Sequence, residues 1–496
     1  METVAPSKIE DQKSAVLAES RPSAGQHLPA WVMQRGWVVL PVLVAVVLGV
    51  SIARGNWLLL AGMAVMGLMV LWPISITLGA FAFLVPFDVV SVVGNGREGT
   101  TLTFVAGAAA GLALMGTTLF RRKFERPLAA AVWWFLFIAW GGATILWAHD
   151  PGRALARLPS ALVLVLFAAA AATVRITKKE LNWILIGTIA GGCAAGGYAV
   201  KQYFGGQFYH SVTSGRSTLA VGANAVDPNF FAASLFLPLA LAVGYFLLSK
   251  GWMRRGLSMA ASGLIVLAIF TTMSRGALVG LAVMLFVFIR RLGVNVRILI
   301  AAGLILLSVL AVSDRLLARF DTAEESGGSG RMSIWPVGVA ALKHVGLFGA
   351  GLDNFRNAYM EYLSESGVHR VRTYNEIDAH NIYLALWVEL GIPGLVFLLM
   401  AYTSLFRSSK KARASGEQGR WLVPFEAAAW AMLVSCFFVG LHWQKSYWLL
   451  WILFPLAIRV FSKSDDAEEF RDGAQRRTVV ALSPASRRIR YSLPLL

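Results

Sequence analysis

Cysteine, histidine and acidic residues are scarce in this chain, and each shortage excludes something. Its 496 residues include two cysteines, Cys193 and Cys436. Both fall inside apolar runs, where a thiol behaves as a small hydrophobe, and two such residues make neither a disulfide framework nor a zinc site. Aspartate and glutamate number 27 against 45 lysines and arginines. A multi-span transferase that works through a divalent ion is expected to place paired carboxylates on its early outward loops. Here those loops offer Asp88, Glu98 and Asp150, so neither a metal nor another cofactor is expected. The chain has no phosphate-binding loop, no Gly-x-Ser-x-Gly elbow and no His-Glu-x-x-His helix. It also shows no internal repeat at a solenoid period. No short apolar segment with a small-residue cleavage site opens it, so the first span is expected to stay as an anchor.

Apolar residues are what the chain has in excess: 57% are hydrophobic and 15% charged. Stretches such as Trp37 to Ala53 and Phe231 to Leu248 carry no charge and approach the roughly 20 residues a helix needs to cross a bilayer. The formal charge of +18 would suit a nucleic-acid binder if it were gathered on a soluble face. Instead Arg121-Arg122-Lys123, Lys178-Lys179, Arg254-Arg255, Arg290-Arg291 and Lys410-Lys411 recur on alternate connections, as the positive-inside rule requires of cytoplasmic loops. The expectation is an all-α polytopic membrane protein with about 12–14 transmembrane helices, a cytoplasmic N-terminus and one large helical periplasmic loop, GT-C-like in outline. A disordered cytoplasmic arm is expected over 1–35, spans over 36–312, the periplasmic loop over 313–380, spans over 381–461 and a cytoplasmic tail over 462–496.

Two outward segments are long. The first, 204–229, mixes turn-forming with apolar residues and is expected to re-enter the protein, where irregular backbone is tolerated if packed or lining a wet cavity. The second, 313–380, contains a Gly-Ser break at 326–330. It then shows helical apolar spacing from Met332 to Lys343 and a second amphipathic stretch from Asp353 to Leu363.

The residues with chemical potential lie on this outward side: Arg216, Arg275 and Arg331, followed by His380-Asn381 at the mouth of a span. Taken singly, Arg275 could be an anchor snorkelling at a tight turn, Arg216 and Arg331 solvated loop residues, and His380 a polar helix start. Taken together they gather positive charge where the positive-inside rule predicts depletion. A planar guanidinium fork matches phosphate oxygens. Imidazole can take a proton from a sugar hydroxyl near neutral pH, and neighbouring arginines would favour its neutral form. Asp378 could orient it, although two residues apart on a helix the pair would not share a face.

From Arg216 through Gly394 the chain resembles the O-antigen ligase and polysaccharide polymerase superfamily. The resemblance rests on Asp227-Pro228-Asn229, Ser274-Arg275-Gly276, Arg331 with Trp335, Leu347-Phe348-Gly349-Ala350-Gly351, His380-Asn381 and Glu389-Leu390-Gly391-Ile392-Pro393-Gly394, in that order. Family members usually carry a proline after the histidine before the glycine pair; here Val345 follows His344. The resemblance implies that Arg275 and Arg331 hold the pyrophosphate of an undecaprenyl-linked glycan and that His380 activates the acceptor hydroxyl, with Arg216, Asn229 and Asn381 as binding residues. It implies an inner-membrane enzyme whose acceptor is lipid A-core, for a ligase, or a second lipid-linked glycan, for a polymerase. A transporter or flippase is the competing class. It predicts ionisable residues along a midplane pathway, whereas the candidates here gather at one interface.

Overall fold

The computed structural model describes residues 72–93, 100–119, 125–206, 216–221, 224–293, 331–368 and 377–462. The expected N-terminal arm, the spans before residue 72, the span near 295–312, the Gly-Ser break and nearly all of the C-terminal tail lie outside these residues.

The described elements are almost all helical. They are α1 (Ile74–Leu84), α2 (Leu102–Leu119), α3 (Ala129–Ala143), α4 (Pro151–Ala171), α5 (Lys178–Phe204), α6 (Pro228–Ser234), α7 (Phe236–Leu248), α8 (Trp252–Thr271) and α9 (Arg275–Leu292). Then come α10 (Trp335–Val345), α11 (Phe355–Tyr362), α12 (Ile382–Ala414), α13 (Val423–Ser435) and α14 (Lys445–Phe461). Small antiparallel hairpins pair β1 (Val92–Val93) with β2 (Thr100–Thr101) and β3 (Ala220–Val221) with β4 (Asn224–Ala225), in registers Val92–Thr101 and Ala220–Ala225.

Among the described residues six helices are long and apolar enough to cross a membrane: Ala129–Trp147, Pro151–Ala171, Lys178–Phe204, Pro228–Leu248, Trp252–Thr271 and Ile382–Ala414. The chain is an all-α polytopic membrane protein. Large apolar side chains such as Phe135, Leu146, Trp183 and Trp252 are exposed, which a lipid solvent accommodates and water does not. The fourth helix lies within the stretch expected to hold spans and runs from Pro151 to Ala171. Asp150 caps it and Pro151 opens it, and two arginines near its start are held against protein: Arg153 and Arg157 reach Asp353 at 3.2 and 3.3 Å.

Packing follows residue size. Gly187 and Gly191 let α5 lie against α1; a Cβ on Gly191 would sit 2.3 Å from the Phe83 carbonyl oxygen. Where lipid gives helices no hydrophobic drive to associate, such close backbone approach supplies the contact. Helix α14 is apolar nearly all round and correspondingly buried, with Tyr447, Trp448, Trp451 and Phe454 among the most enclosed large side chains.

Residues 331–368 form a small helical cap with its own core of Ile334, Val337, Ala341, Phe355 and Tyr359, which shares Ala385 and Val388 with α12. What seats the cap is a break in α12. At Gly391 the backbone leaves the helix (φ 65, ψ −167), so the carbonyls before it lose their helical partners. The Ala350 and Gly351 amides donate to the Val388 and Glu389 carbonyls at 2.8 and 2.9 Å, and the Trp140 indole donates to Leu390 O at 2.7 Å. Gly349, at φ +86, is needed for this approach, since a Cβ there would lie 2.2 Å from Glu389 O. Unwound backbone at this depth is tolerable because the protein itself supplies every one of these bonds.

Candidate active site

Four helices start at one end of the bundle, each with a side-chain cap. Asp150 accepts from Arg153 N and Asp227 from Asn229 N, at 2.9 and 2.8 Å. Ser274 accepts from Ala277 N at 3.4 Å, and Asn381 from Tyr383 N and Leu384 N at 3.0 and 3.1 Å. Caps satisfy amide groups that a helix start leaves open. Here they also fix where the candidate residues emerge.

Arg216 and Asn229 meet directly. The Arg216 guanidinium donates to Asn229 Oδ1 at 2.8 Å and, through Nε, to the Thr272 carbonyl at 2.8 Å. Its neighbour Ser217 donates from its backbone to Thr271 O at 2.9 Å and from its hydroxyl to Ala199 O at 2.8 Å. Arg216 is buried, pinned to the strained turn (Met273, φ 50) that leads through Ser274 into Arg275.

A connection that carried no signal in the sequence, residues 436–444 between α13 and α14, gathers the remaining candidates. The Arg331 guanidinium donates to Phe438 O at 2.8 Å and lies 6.0 Å from the Phe438 ring centre. On the same residue rests Gly276, beside Arg275; a Cβ there would meet Phe438 Cβ at 3.0 Å. The Ser435 hydroxyl adds a bond to Gly276 O at 3.0 Å. Burial lowers the pKa of Arg331, the Arg275 charge lowers it further and Asp227 opposes both. The two arginines therefore feel each other across this turn, an arrangement that suits a ligand carrying several negative charges.

His380 stands on the other flank of the connection. Its backbone is left-handed (φ 46), held by its amide donating to Asp378 Oδ1 at 3.1 Å. Asp378 Oδ2 is 3.9 Å from His380 Nδ1, a charge contact and not a hydrogen bond. The two residues precede α12 in an irregular segment, so the helical objection to their pairing does not arise. Gly440 packs against this carboxylate, where a Cβ would come within 2.8 Å of Oδ1. From behind, the Trp335 indole donates to Ala379 O at 2.9 Å, tying the cap to the histidine's segment. Asn381 spends its side-chain oxygen on the helix cap.

Behind this front lies a second polar group that sequence reasoning passed over. Asp353, left-handed at φ 58, binds Arg153 and Arg157 through its carboxylate and donates its amide to Glu389 Oε2 at 3.2 Å. His442 Nε2 lies 3.9 Å from the same Glu389 oxygen, and its Nδ1 is buried without a hydrogen-bond partner. Burial pushes the His442 pKa down to about 4, against the opposing pull of Asp378 and Asp353 and with Arg157 assisting. The signal available was Glu389, one carboxylate in an apolar run. Among the described residues no three His, Cys, Asp or Glu side chains are grouped so as to hold a metal ion.

No curated protein matches the chain. A family model described as O-antigen ligase matches residues 260–399, a stretch that contains Arg275, Arg331, His380, Asn381 and the broken part of α12. Residues 260–399 of this polytopic chain match an O-antigen ligase domain, consistent with the O-antigen ligase and polymerase superfamily.

Proposed function

We propose that this protein is a metal-independent glycosyltransferase of the bacterial inner membrane that moves a glycan from undecaprenyl pyrophosphate to an acceptor hydroxyl at the periplasmic face, with lipid A-core as acceptor. The coarser part of this reading, ligase- or polymerase-type work in O-antigen processing, comes with the family domain. The observation that supports the finer part is that Arg331 and the segments carrying Arg275 and His380, through Gly276 and Asp378, pack on the 436–444 connection.

In this reading Arg275 and Arg331 grip the pyrophosphate. The acceptor hydroxyl attacks the anomeric carbon, its proton passes to the His380 imidazole, and the bond from that carbon to the pyrophosphate oxygen breaks. Direct attack inverts the anomeric centre. The charge growing on the leaving pyrophosphate falls on guanidiniums already fixed in place, worth far more in a partly dehydrated site than in water. Asp378 fixes the His380 backbone, Arg216 with Asn229 holds the turn that presents Arg275, and Asn381 offers its amide to a sugar hydroxyl.

The test is a reconstituted transfer assay in EDTA with an undecaprenyl-pyrophosphate glycan as donor and, separately, lipid A-core and a second lipid-linked glycan as acceptors. Product on lipid A-core establishes the ligase, and elongated lipid-linked chains establish a polymerase instead. Activity that returns with a divalent ion overturns metal independence. No product with either acceptor from folded protein overturns the reading.

A further inference from the structure

A cavity of about 250 Å³ opens beside the arginine cluster, between residues 85–89, the start of α6 and the start of α14. Asp88, Asp227 and Lys445 line it, with Gln444 and Ser446. Pro86 and Phe230 give it an apolar wall. Lys445 is already committed, its Nζ 2.6 Å from Asp88 Oδ1, which also accepts from Thr101 at 3.0 Å. Asp227 uses its Oδ1 to cap α6. Each carboxylate is thus held through one oxygen and keeps Oδ2 as an acceptor.

The balance of charge selects the ligand. Two carboxylates facing one paired ammonium repel a phosphate, which the arginines across Asp227 attract instead. An acyl chain would strand the polar groups of the wall without partners. A sugar ring satisfies both halves: its hydroxyls donate to carboxylate and amide oxygens, and its C–H face lies on Pro86 and Phe230. The volume is below the usual range for drug-sized ligands, which suits one ring and not an oligosaccharide. Asp227 joins the cavity to the phosphate side, since it acts on Arg331 and stands two residues before Asn229, the partner of Arg216.

We infer that this cavity is a monosaccharide subsite, holding one sugar ring of a lipid-linked or acceptor glycan while the arginines hold the phosphates. The inference rests on the proposed glycan transfer for its choice of sugar, but its test does not need turnover.

The experiment uses the full chain reconstituted in nanodiscs with Ser446→Cys, labelled by a charged maleimide and corrected for labelling of the unsubstituted protein. Undecaprenyl-pyrophosphate glycan, lipid A-core and sugar-free undecaprenyl pyrophosphate are offered separately. A glycan-bearing lipid at about ten times its Kd is expected to slow labelling about tenfold, in proportion to occupancy, and the sugar-free lipid to leave it unchanged. Protection by the donor or by lipid A-core tells which glycan supplies the ring. A second variant, Gln444→Ala, is expected to raise KM for that same partner with kcat held. Labelling unchanged by every glycan, or slowed equally by the sugar-free lipid, overturns the subsite. If transfer is present and protection absent, the subsite alone fails. If protection is present and transfer absent, the proposed reaction fails and the subsite stands.

Discussion

At the end of the bundle opposite the candidate site, Glu426 accepts from Arg413 at 2.8 Å and lies 3.3 Å from Arg291, and Glu125 pairs with Arg459 and lies 3.7 Å from Arg175. At the site end Arg216 and Arg331 donate to neutral oxygens, those of Thr272, Asn229 and Phe438. The chemistry of the partner is the lesson. A carboxylate cancels the charge of the guanidinium it holds, so the pair serves the fold; a hydrogen bond to a carbonyl or amide oxygen orients the guanidinium without itself cancelling the charge.

Removing the site-end cations should have the greatest consequence. Arg275→Ala and Arg331→Ala are each expected to lower transfer about 10²–10³-fold, by analogy with the loss of one oxyanion donor. His380→Ala is expected to abolish it. All three should insert and fold as the wild type does, judged by size exclusion and thermal unfolding in detergent. Transfer at the wild-type rate by any of them removes that residue from the mechanism.

At the opposite end the expected effect falls on stability. Glu426→Gln strips the counter-charge from Arg413 and Arg291, and the side chain it replaces is 2% exposed. Breaking a buried pair by removing one partner costs about 3–5 kcal/mol. Thermal unfolding should drop accordingly, while turnover per folded molecule stays near wild type. A turnover loss as large as that of Arg275→Ala would mean the two ends are not divided in the way their partners suggest.

How much of this was legible in the chain differs from element to element. The helical, membrane-spanning class followed from apolar runs alone, and the helix starts at Asp227-Pro228, Ser274-Arg275 and His380-Asn381 were visible because caps and prolines are local signals. The glycines at 349 and 391 could be quoted from the sequence, yet their meeting could not. It depends on a break in α12 whose freed carbonyls are satisfied from 40 residues away, and nothing local encodes that. The 436–444 connection was hidden for a related reason: it acts through a backbone carbonyl at Phe438 and a missing side chain at Gly440, and neither leaves a mark in composition. The pairing of Arg153 and Arg157 at the start of α4 was hidden as well, because their partner Asp353 comes from the cap.

In the group behind the site a histidine and not an arginine carries the burial cost. His442 holds its pKa near 4 in the folded protein against an ordinary 6.5. Between those values the unfolded chain takes up a proton that the folded one refuses, so protons favour unfolding. Stability contributed by neutral His442 should be fully present above about pH 6.5 and be lost as pH falls through about 4. Thermal unfolding across that range checks it, and His442→Gln should flatten the dependence. A curve unchanged by the substitution would assign the acid sensitivity to other groups.

The smallest expected effect compares two helix caps, one at each end. At the opposite end Thr177 accepts from Glu180 N at 3.1 Å while Glu180 reaches back to Thr177 N at 2.8 Å, a capping box with no neighbour among the candidate residues. At the site end Asn381 does the same service for α12. Thr177→Ala and Asn381→Ala should each cost about 1 kcal/mol of stability, seen as similar downward shifts in unfolding temperature. The pair separates capping from binding. Thr177→Ala should leave KM for the acceptor unchanged, whereas Asn381→Ala should raise it through loss of the amide donor. If Asn381→Ala matches Thr177→Ala in both readouts, Asn381 is a cap alone, and the sugar contact belongs to another side chain at this end.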